Sequence, residues 1–434
     1  MRGCRQSDAW PRSRRDGRRP RALARTRCRR RRDRRPLDRP RRGRSPGRRR
    51  PRALPGSAAG AAAALGDPAR DRPRDGRPGS CRLKPRWPAV AVRALAPALV
   101  ALVVTVVLAA TVAYLGGADA GQAIRALVVG SVGSTSNVAA TLLRATPLLL
   151  TGAAVMLAFR SGVFNIGAEG QFLVGALAAT VAGTASGPEA GRWLLVLLAG
   201  ALAGAGWAAI AAAFRIGRQV NEVITTILLN FVALYLVSYA VDGPLQEAAG
   251  QYPQSDLLAA GAMLWRPIAG SRLHVGVAIA LVTAMAVGAL LSRTVLGLRL
   301  RAAGSNAPAA RLAGFPVLRD LTVAFALSGA IAGLAGAVEV AGVTGRLYER
   351  ISPGYGYTAI AIALLGGLRS GGVIAAALFF AALAAGASAM ERSAGVSSVL
   401  VLAVQGATLL AVAMLNASLL RRFARLDASA GEEG

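Results

Sequence analysis

The 434-residue chain has three cysteines, one histidine and one lysine, and only 5% of it is aromatic. Cys4, Cys28 and Cys81 all precede residue 82, so the apolar remainder carries no disulfide, thiolate metal site or cysteine nucleophile. With His274 standing alone, zinc sites, Cys/His dyads and Ser-His-Asp triads of the usual construction are excluded. Lys84 is the single lysine, and no Gly-Lys-Ser/Thr phosphate loop can be built from it. The chain is therefore expected not to be an enzyme: no catalytic residues, no metal, no cofactor and no ATP hydrolysis of its own.

What is abundant is apolar sequence and arginine, and the two occupy different parts of the chain. Hydrophobic residues make up 54% of it, with a mean hydropathy of +0.45. The formal net charge of +31 suggests a nucleic-acid-binding protein, but residues 1–93 hold 32 of the 52 Lys+Arg and 7 of the 21 Asp+Glu, a net of +25. The rest carries 20 basic and 14 acidic residues, a net of +6, clustered between apolar runs.

Up to about Trp87 the chain is rich in Arg, Pro, Gly, Asp and Ala, with no apolar period of 2 or 3.6, and it cannot offset its ordering entropy. Residues 1–90 are expected to be a disordered Arg/Pro-rich extension. The runs Arg29–Arg32 and Arg48–Arg50 could engage phosphates or anionic head groups. The composition matches better a GC-rich frame translated ahead of the true start, with a non-Met start near Val90 or Val92. No short apolar core precedes a cleavage site before residue 88, so the segment does not read as a signal peptide.

Spans of about 20 mostly apolar residues recur beyond it. They are expected near 94–115, 141–159, 166–184, 192–214, 222–241, 274–292, 320–342, 357–367, 371–389 and 396–417. The eighth is too short to cross alone and is bordered by Gly366, Gly367, Gly371 and Gly372. The fold class is an all-α polytopic membrane protein of about ten transmembrane segments with broken helices, a membrane domain over 91–420 and a cytoplasmic tail over 421–434. Arg215, Arg218, Arg293, Arg299, Arg301, Arg311, Arg319, Arg369, Arg421, Arg422 and Arg425 fall on one side if both termini are cytoplasmic. Arg346, Arg350 and Arg392 are exceptions. The small-residue runs Ala199–Gly206 and Gly329–Gly336 let helix backbones approach closely.

Two polar constellations stand out. Gly162 to Gln171 sets Asn165, Glu169 and Gln171 among glycines between two apolar runs, and an ionisable group in such a place is a functional candidate by default. From Arg301 to Gly314, Ser305 or Asn306 can cap a short helix, Pro308 suits its first turn and Gly314 can end it. Such a helix is either a plain connector or a docking element with Arg301 and Arg311 as charged contacts.

With Pro147–Gly152, Asn221–Asn230 and Gly354–Gly366, these stretches resemble the permease subunits of bacterial ABC importers for nucleosides, within the group that includes ribose and branched-chain amino-acid permeases. The resemblance covers about residues 94–420; residues 1–93 depart from it. It implies nucleoside uptake powered by a partner ATPase, in a bacterial inner membrane with both termini cytoplasmic. The implied partners are a cytoplasmic ABC ATPase, a second permease that is usually a related chain, an external solute-binding lipoprotein and the lipid bilayer, with no nucleic acid. Asn165, Glu169, Gln171, Asn221, Asn230, Tyr355 and Tyr357 are the candidate path residues. Amides and a carboxylate can bond ribose hydroxyls and base edges, and tyrosines can stack on a base. Each also has a structural reading: Glu169 bonding local amides, Asn221 capping, Asn230 bridging helices, the tyrosines in an aromatic belt. Arg301, Gly304, Asn306, Pro308, Arg311 and Gly314 form the candidate ATPase-coupling loop. The alternatives are a sugar or branched-chain amino-acid permease, a membrane-anchored nucleic-acid binder using the basic N-terminus, and a proton-coupled transporter using Glu169.

Overall fold

The computed structural model describes residues 119–394, residue 269 apart, and six isolated helical positions outside that range. The basic extension and the expected tail 421–434 lie outside the described residues, as do the expected spans 94–115 and 396–417 except for isolated positions. Within them the chain is helical, and the only extended pairing is two isolated bridges, Gln246 with Ser255 and Gln254 with Tyr348. The helices are α1 (Ala120–Val132), α2 (Thr135–Arg160), α3 (Ala168–Thr184), α4 (Arg192–Arg218), α5 (Glu222–Asp242), α6 (Gly276–Arg293), α7 (Val295–Ser305), α8 (Ala307–Leu312), α9 (Val317–Glu339), α10 (Tyr355–Leu365) and α11 (Ser370–Ala394).

Six of these are long and apolar enough to cross a membrane: α2, α4, α5, α6, α9 with its continuation to Thr344, and α11. They match six of the expected spans. The 17-residue α3 and the 11-residue α10 occupy the third and eighth. Polar side chains close the helix starts: Asp119 accepts from Gly121 N at 2.7 Å, Asn221 from Val223 N at 2.9 Å, and Thr294 from Gly297 N at 3.0 Å.

The core is cemented by backbone contact. A Cβ added to Gly204 would stand 2.7 Å from the Gly333 Cα, and one on Gly175 would meet the Gly333 backbone. The two small-residue runs read from the sequence thus pack against each other, drawing α4 and α9 together beside α3. Two helices were not anticipated. α1 is too short to span and packs on α11, where a Cβ on Gly386 would strike the Leu127 carbonyl. α7 carries Arg299, whose guanidinium grips the fully buried Asp320 in the first turn of α9.

At the opposite end, the loop after α5 lies on the segment following α9. Ser255 N donates to Leu347 O at 2.7 Å, Leu258 N to Gly345 O at 2.9 Å and Leu264 N to Ala341 O at 2.9 Å. Arg346, an exception to the arginine asymmetry, pairs here with Glu247 at 3.0 Å. α9 closes in a π-turn over Val340–Thr344, and the buried His274 ring packs against Gly342 of that turn and against Gly276. Its Nδ1 accepts from Gly276 N at 3.0 Å, so the neutral ring carries its proton on Nε2, which has no partner among the described residues.

Burial, aided by Arg266, holds His274 at about 4, below its ordinary 6.5. As pH falls from 6.5 towards 4 the unfolded chain binds a proton that the folded one refuses, so stability falls across that window and levels below it. The thermal midpoint in detergent is expected to drop accordingly. His274→Asn keeps an acceptor for Gly276 N but does not titrate, and should flatten this part of the pH profile while lowering the midpoint overall.

Candidate solute path and coupling loop

α2 ends at Arg160 and the chain reverses through Ser161 and Gly162, whose φ of +73° favours glycine. Three residues later Asn165 Oδ1 accepts from Gly167 N at 3.0 Å, turning the backbone into α3. The Asn165 and Gln171 amides then bond each other reciprocally, Asn165 Nδ2 to Gln171 Oε1 at 2.9 Å and Gln171 Nε2 to Asn165 Oδ1 at 3.0 Å. Asn165 Nδ2 also donates to Ser328 Oγ at 2.9 Å, and that hydroxyl donates to Ala154 O at 2.9 Å. The closed set ties α2, α3 and α9 together and is buried, which its satisfied donors and acceptors permit.

A second amide serves the start of α3 from α5. Asn230 Oδ1 accepts from Gly170 N at 2.8 Å, while its Nδ2 donates to Ile166 O at 3.0 Å and reaches the Tyr357 hydroxyl at 3.3 Å. Asn230 is 2% exposed, Tyr357 46%. The second amide therefore joins the buried turn to a tyrosine on an open surface.

Glu169 stands in the first turn of α3, and its Oε2 accepts from Gly356 N at 2.7 Å in the first turn of α10. The Ser352 hydroxyl receives Gly354 N and Tyr355 N, each at 3.1 Å. Gly354, at φ +94°, sets the entry into α10. A Cβ on Gly356 would stand 2.6 Å from the Glu169 Cα, so the two helix starts touch through backbone and admit no side chain there. One carboxylate thus faces two helix N-termini, each equivalent to about half a positive charge. Phe172 meets the Tyr355 ring edge-on at a centroid distance of 5.6 Å.

Asn165, Glu169, Gln171, Asn230, Tyr355 and Tyr357 consequently occupy one neighbourhood where α3, α5, α9 and α10 converge. Asn221 does not join them; it caps α5 at the exposed end, beside the Arg215–Glu222 ion pair. Several residues escaped the sequence reading. Glu339 is buried at the end of α9, and Arg144 lies half-buried in α2. Arg144 also holds Ala384 O at 2.8 Å and Ser388 Oγ at 3.1 Å. The signal was present, since each is an ionisable residue inside an apolar span.

The loop after α6 takes the shape its caps dictate. Asn306 Oδ1 accepts from Ala309 N at 3.0 Å, Pro308 lies in the first turn of α8, Arg311 in its last, and Gly314 leaves at φ +83°. Arg301 and Gly304 belong to the preceding α7. Gly304 abuts the turn out of α2: a Cβ there would stand 2.8 Å from Gly162 N, and one on Gly162 the same distance from the Gly304 Cα. The loop and the turn leading to Asn165 and Glu169 are thus in direct backbone contact.

Residues 137–413 match the family model for the permease component of the branched-chain amino acid transport system. The chain belongs to this family. Such a permease is a multi-pass membrane component of a transport system, not an enzyme, and works in general with an ATPase and a binding protein. The permease is 41% identical to the glucose ABC transporter permease protein TsgB13 of Haloferax volcanii, over 67% of this chain and 80% of that protein. It is 36% identical to the guanosine ABC transporter permease protein NupP of Bacillus subtilis, over 69% and 87% respectively. To the nucleoside ABC transporter permease protein NupB of Lactococcus lactis it is 31% identical, over 61% and 76%. No solved structure matches it.

Removing the Glu169 carboxyl leaves Gly356 N without its acceptor at a buried contact, which costs about 1–3 kcal/mol. Glu169→Ala should therefore lower the thermal midpoint of the purified permease in detergent. Glu169→Gln keeps an acceptor oxygen and should lose less, about the 0.3–2 kcal/mol of a charge at a helix terminus.

Proposed function

We propose that this chain is the permease subunit of an ABC importer for nucleosides and forms the solute path, with the energy supplied by a partner ATPase. The observation that carries this reading is the junction at Glu169. Two interrupted helices meet there beside Asn230, Tyr355 and Tyr357, within a chain similar to permeases named for guanosine and nucleosides. Broken helices lining a site are a recurrent way to present polar groups inside a membrane. In this reading Tyr357, half-exposed and anchored by Asn230, stacks on the base, and Tyr355 with Phe172 walls the path. Asn165, Glu169 and Gln171 hold the geometry, while Asn221 marks its cytoplasmic approach.

The permease sits in a bacterial inner membrane with both termini cytoplasmic. It pairs with a second, related permease, and an external lipoprotein delivers the solute. Residues 91–420 are the working domain and 421–434 a cytoplasmic tail. The ATPase engages α7 and α8 through Arg301 and Arg311, with Gly304, Asn306, Pro308 and Gly314 shaping that surface. Movement there reaches the path through the Gly304–Gly162 contact. A ligand or partner can drive the transition only through contacts that differ between the two states, and this backbone contact is the candidate for such a difference. A sugar is the second reading, resting on the 41% identity to the glucose permease.

Uptake of labelled adenosine into vesicles holding the whole importer is expected to be suppressed by excess guanosine and unaffected by glucose, ribose or leucine. Suppression by glucose alone would move the assignment to sugars. Replacing Arg301 and Arg311 with glutamate should abolish uptake while leaving the external receptor bound; retained uptake would remove the coupling role.

A further inference from the structure

Three helices, α2, α6 and α11, run side by side and leave two pockets along one furrow. The first, of about 130 Å³, is wholly apolar and is lined by Leu142 and Leu149 of α2, Ala280 and Leu281 of α6, and Ile374 and Leu378 of α11. The second, of about 240 Å³, opens at the arginine-rich end between the same helices and α7. Its floor is Met156 and Leu291, and its polar lining is Arg160, Arg301, Arg369, Ser292 and Ser370.

The charge in the second pocket is uncompensated. No carboxylate lines it, and the three ion pairs among the described residues involve Arg215, Arg299 and Arg346 instead. Arg160 is fixed by donating Nε to Leu368 O at 2.9 Å, leaving its terminal nitrogens to the pocket. α11 begins at Ser370, so the leading N–H groups of that helix, which lack partners within it, open at the same place. On α2 and α6 the pockets are seven residues apart, Leu149 to Met156 and Leu281 to Gly288, a rise of about 10 Å. That is the layout of one amphiphile: an anionic head in the basic pocket and an alkyl chain along the apolar one.

We propose that this furrow binds an anionic phospholipid of the cytoplasmic leaflet, its phosphate held by Arg160 and Arg369 and its acyl chain lying between α2, α6 and α11. Basic pockets between helices at the cytoplasmic boundary are suited to such head groups. The apolar pocket separates this ligand from a free phosphate or an acidic side chain of the ATPase, neither of which has use for it. The inference rests on the proposed orientation, with the arginine-rich end cytoplasmic, but not on the solute being a nucleoside. A bound lipid would brace the start of α11 against α2, directly below the turn that carries Gly162.

Native mass spectrometry of the full-length protein, exchanged into detergent with equal phosphatidylglycerol and phosphatidylcholine, tests it. Wild type should retain phosphatidylglycerol selectively, and each arginine neutralised should cut that selectivity roughly fivefold. The variants are Arg369→Gln, an exposed position, and the double change Arg160→Gln with Arg369→Gln. Ala280→Trp, which fills the apolar pocket, should reduce retention without altering the preference between head groups. Equal retention of both lipids, or selectivity unchanged by Arg369→Gln, overturns the proposal. Displacement of the lipid by water-soluble glycerol phosphate at matched concentration would make this a phosphate site. Its loss on adding the ATPase would make the occupant an acidic protein side chain.

Discussion

Much of this bundle depends on two helix starts brought into backbone contact and held there by one carboxylate. The N–H groups of Gly170 and Gly356, in the first turns of α3 and α10, are buried, so they need partners inside the protein. Glu169 supplies one to Gly356, Ser352 supplies two at the start of α10, and Asn230 supplies one to Gly170 from α5. The carboxylate is in turn favoured by the positive ends of both helices. Because Gly356 admits no side chain against Glu169, the junction has a narrow range of geometries. The polar residues around it inherit that precision: Tyr357 is fixed through Asn230, and Tyr355 through its contact with Phe172.

The second constraint is the Gly162–Gly304 contact, which joins this junction to the opposite-facing loop. Side chains at an interface can yield by changing rotamer, whereas two backbones in contact cannot, so displacement of α7 moves the turn after α2 directly. Asn165 lies three residues beyond Gly162, and its amide ring with Gln171 and Ser328 passes the displacement on to α3 and α9. In the proposed importer, the ATPase acts at one end of this chain of contacts and the solute sits at the other.

Several features were legible residue by residue. Apolar runs located the six long helices within a few residues, and the Asn306, Pro308 and Gly314 signals gave α8 its start and end. The Gly- and Ala-rich runs announced the close packing of α4 on α9. What was missed has a common cause. α1 and α7 are too short or too polar to stand out by hydropathy and owe their place to Gly386 on α11 and to Asp320 on α9. Ser328, Arg144 and Glu339 lie far along the chain from the Gly162–Gln171 stretch, and nothing local links them to it.

Sequence by itself determined that the apolar part of this chain forms membrane-length helices and offers no cysteine and no lysine for a phosphate loop, because hydropathy and residue counts are properties of segments. It also named the stretch from Gly162 to Gln171 as a polar island needing a reason. Only the tertiary structure decided what that reason is, by bringing Gly356, Asn230 and Ser328 to it from distant parts of the chain. Hydrogen-bond partners and helix-terminus fields act over a few ångströms of space, and the order of residues along a chain does not contain those distances.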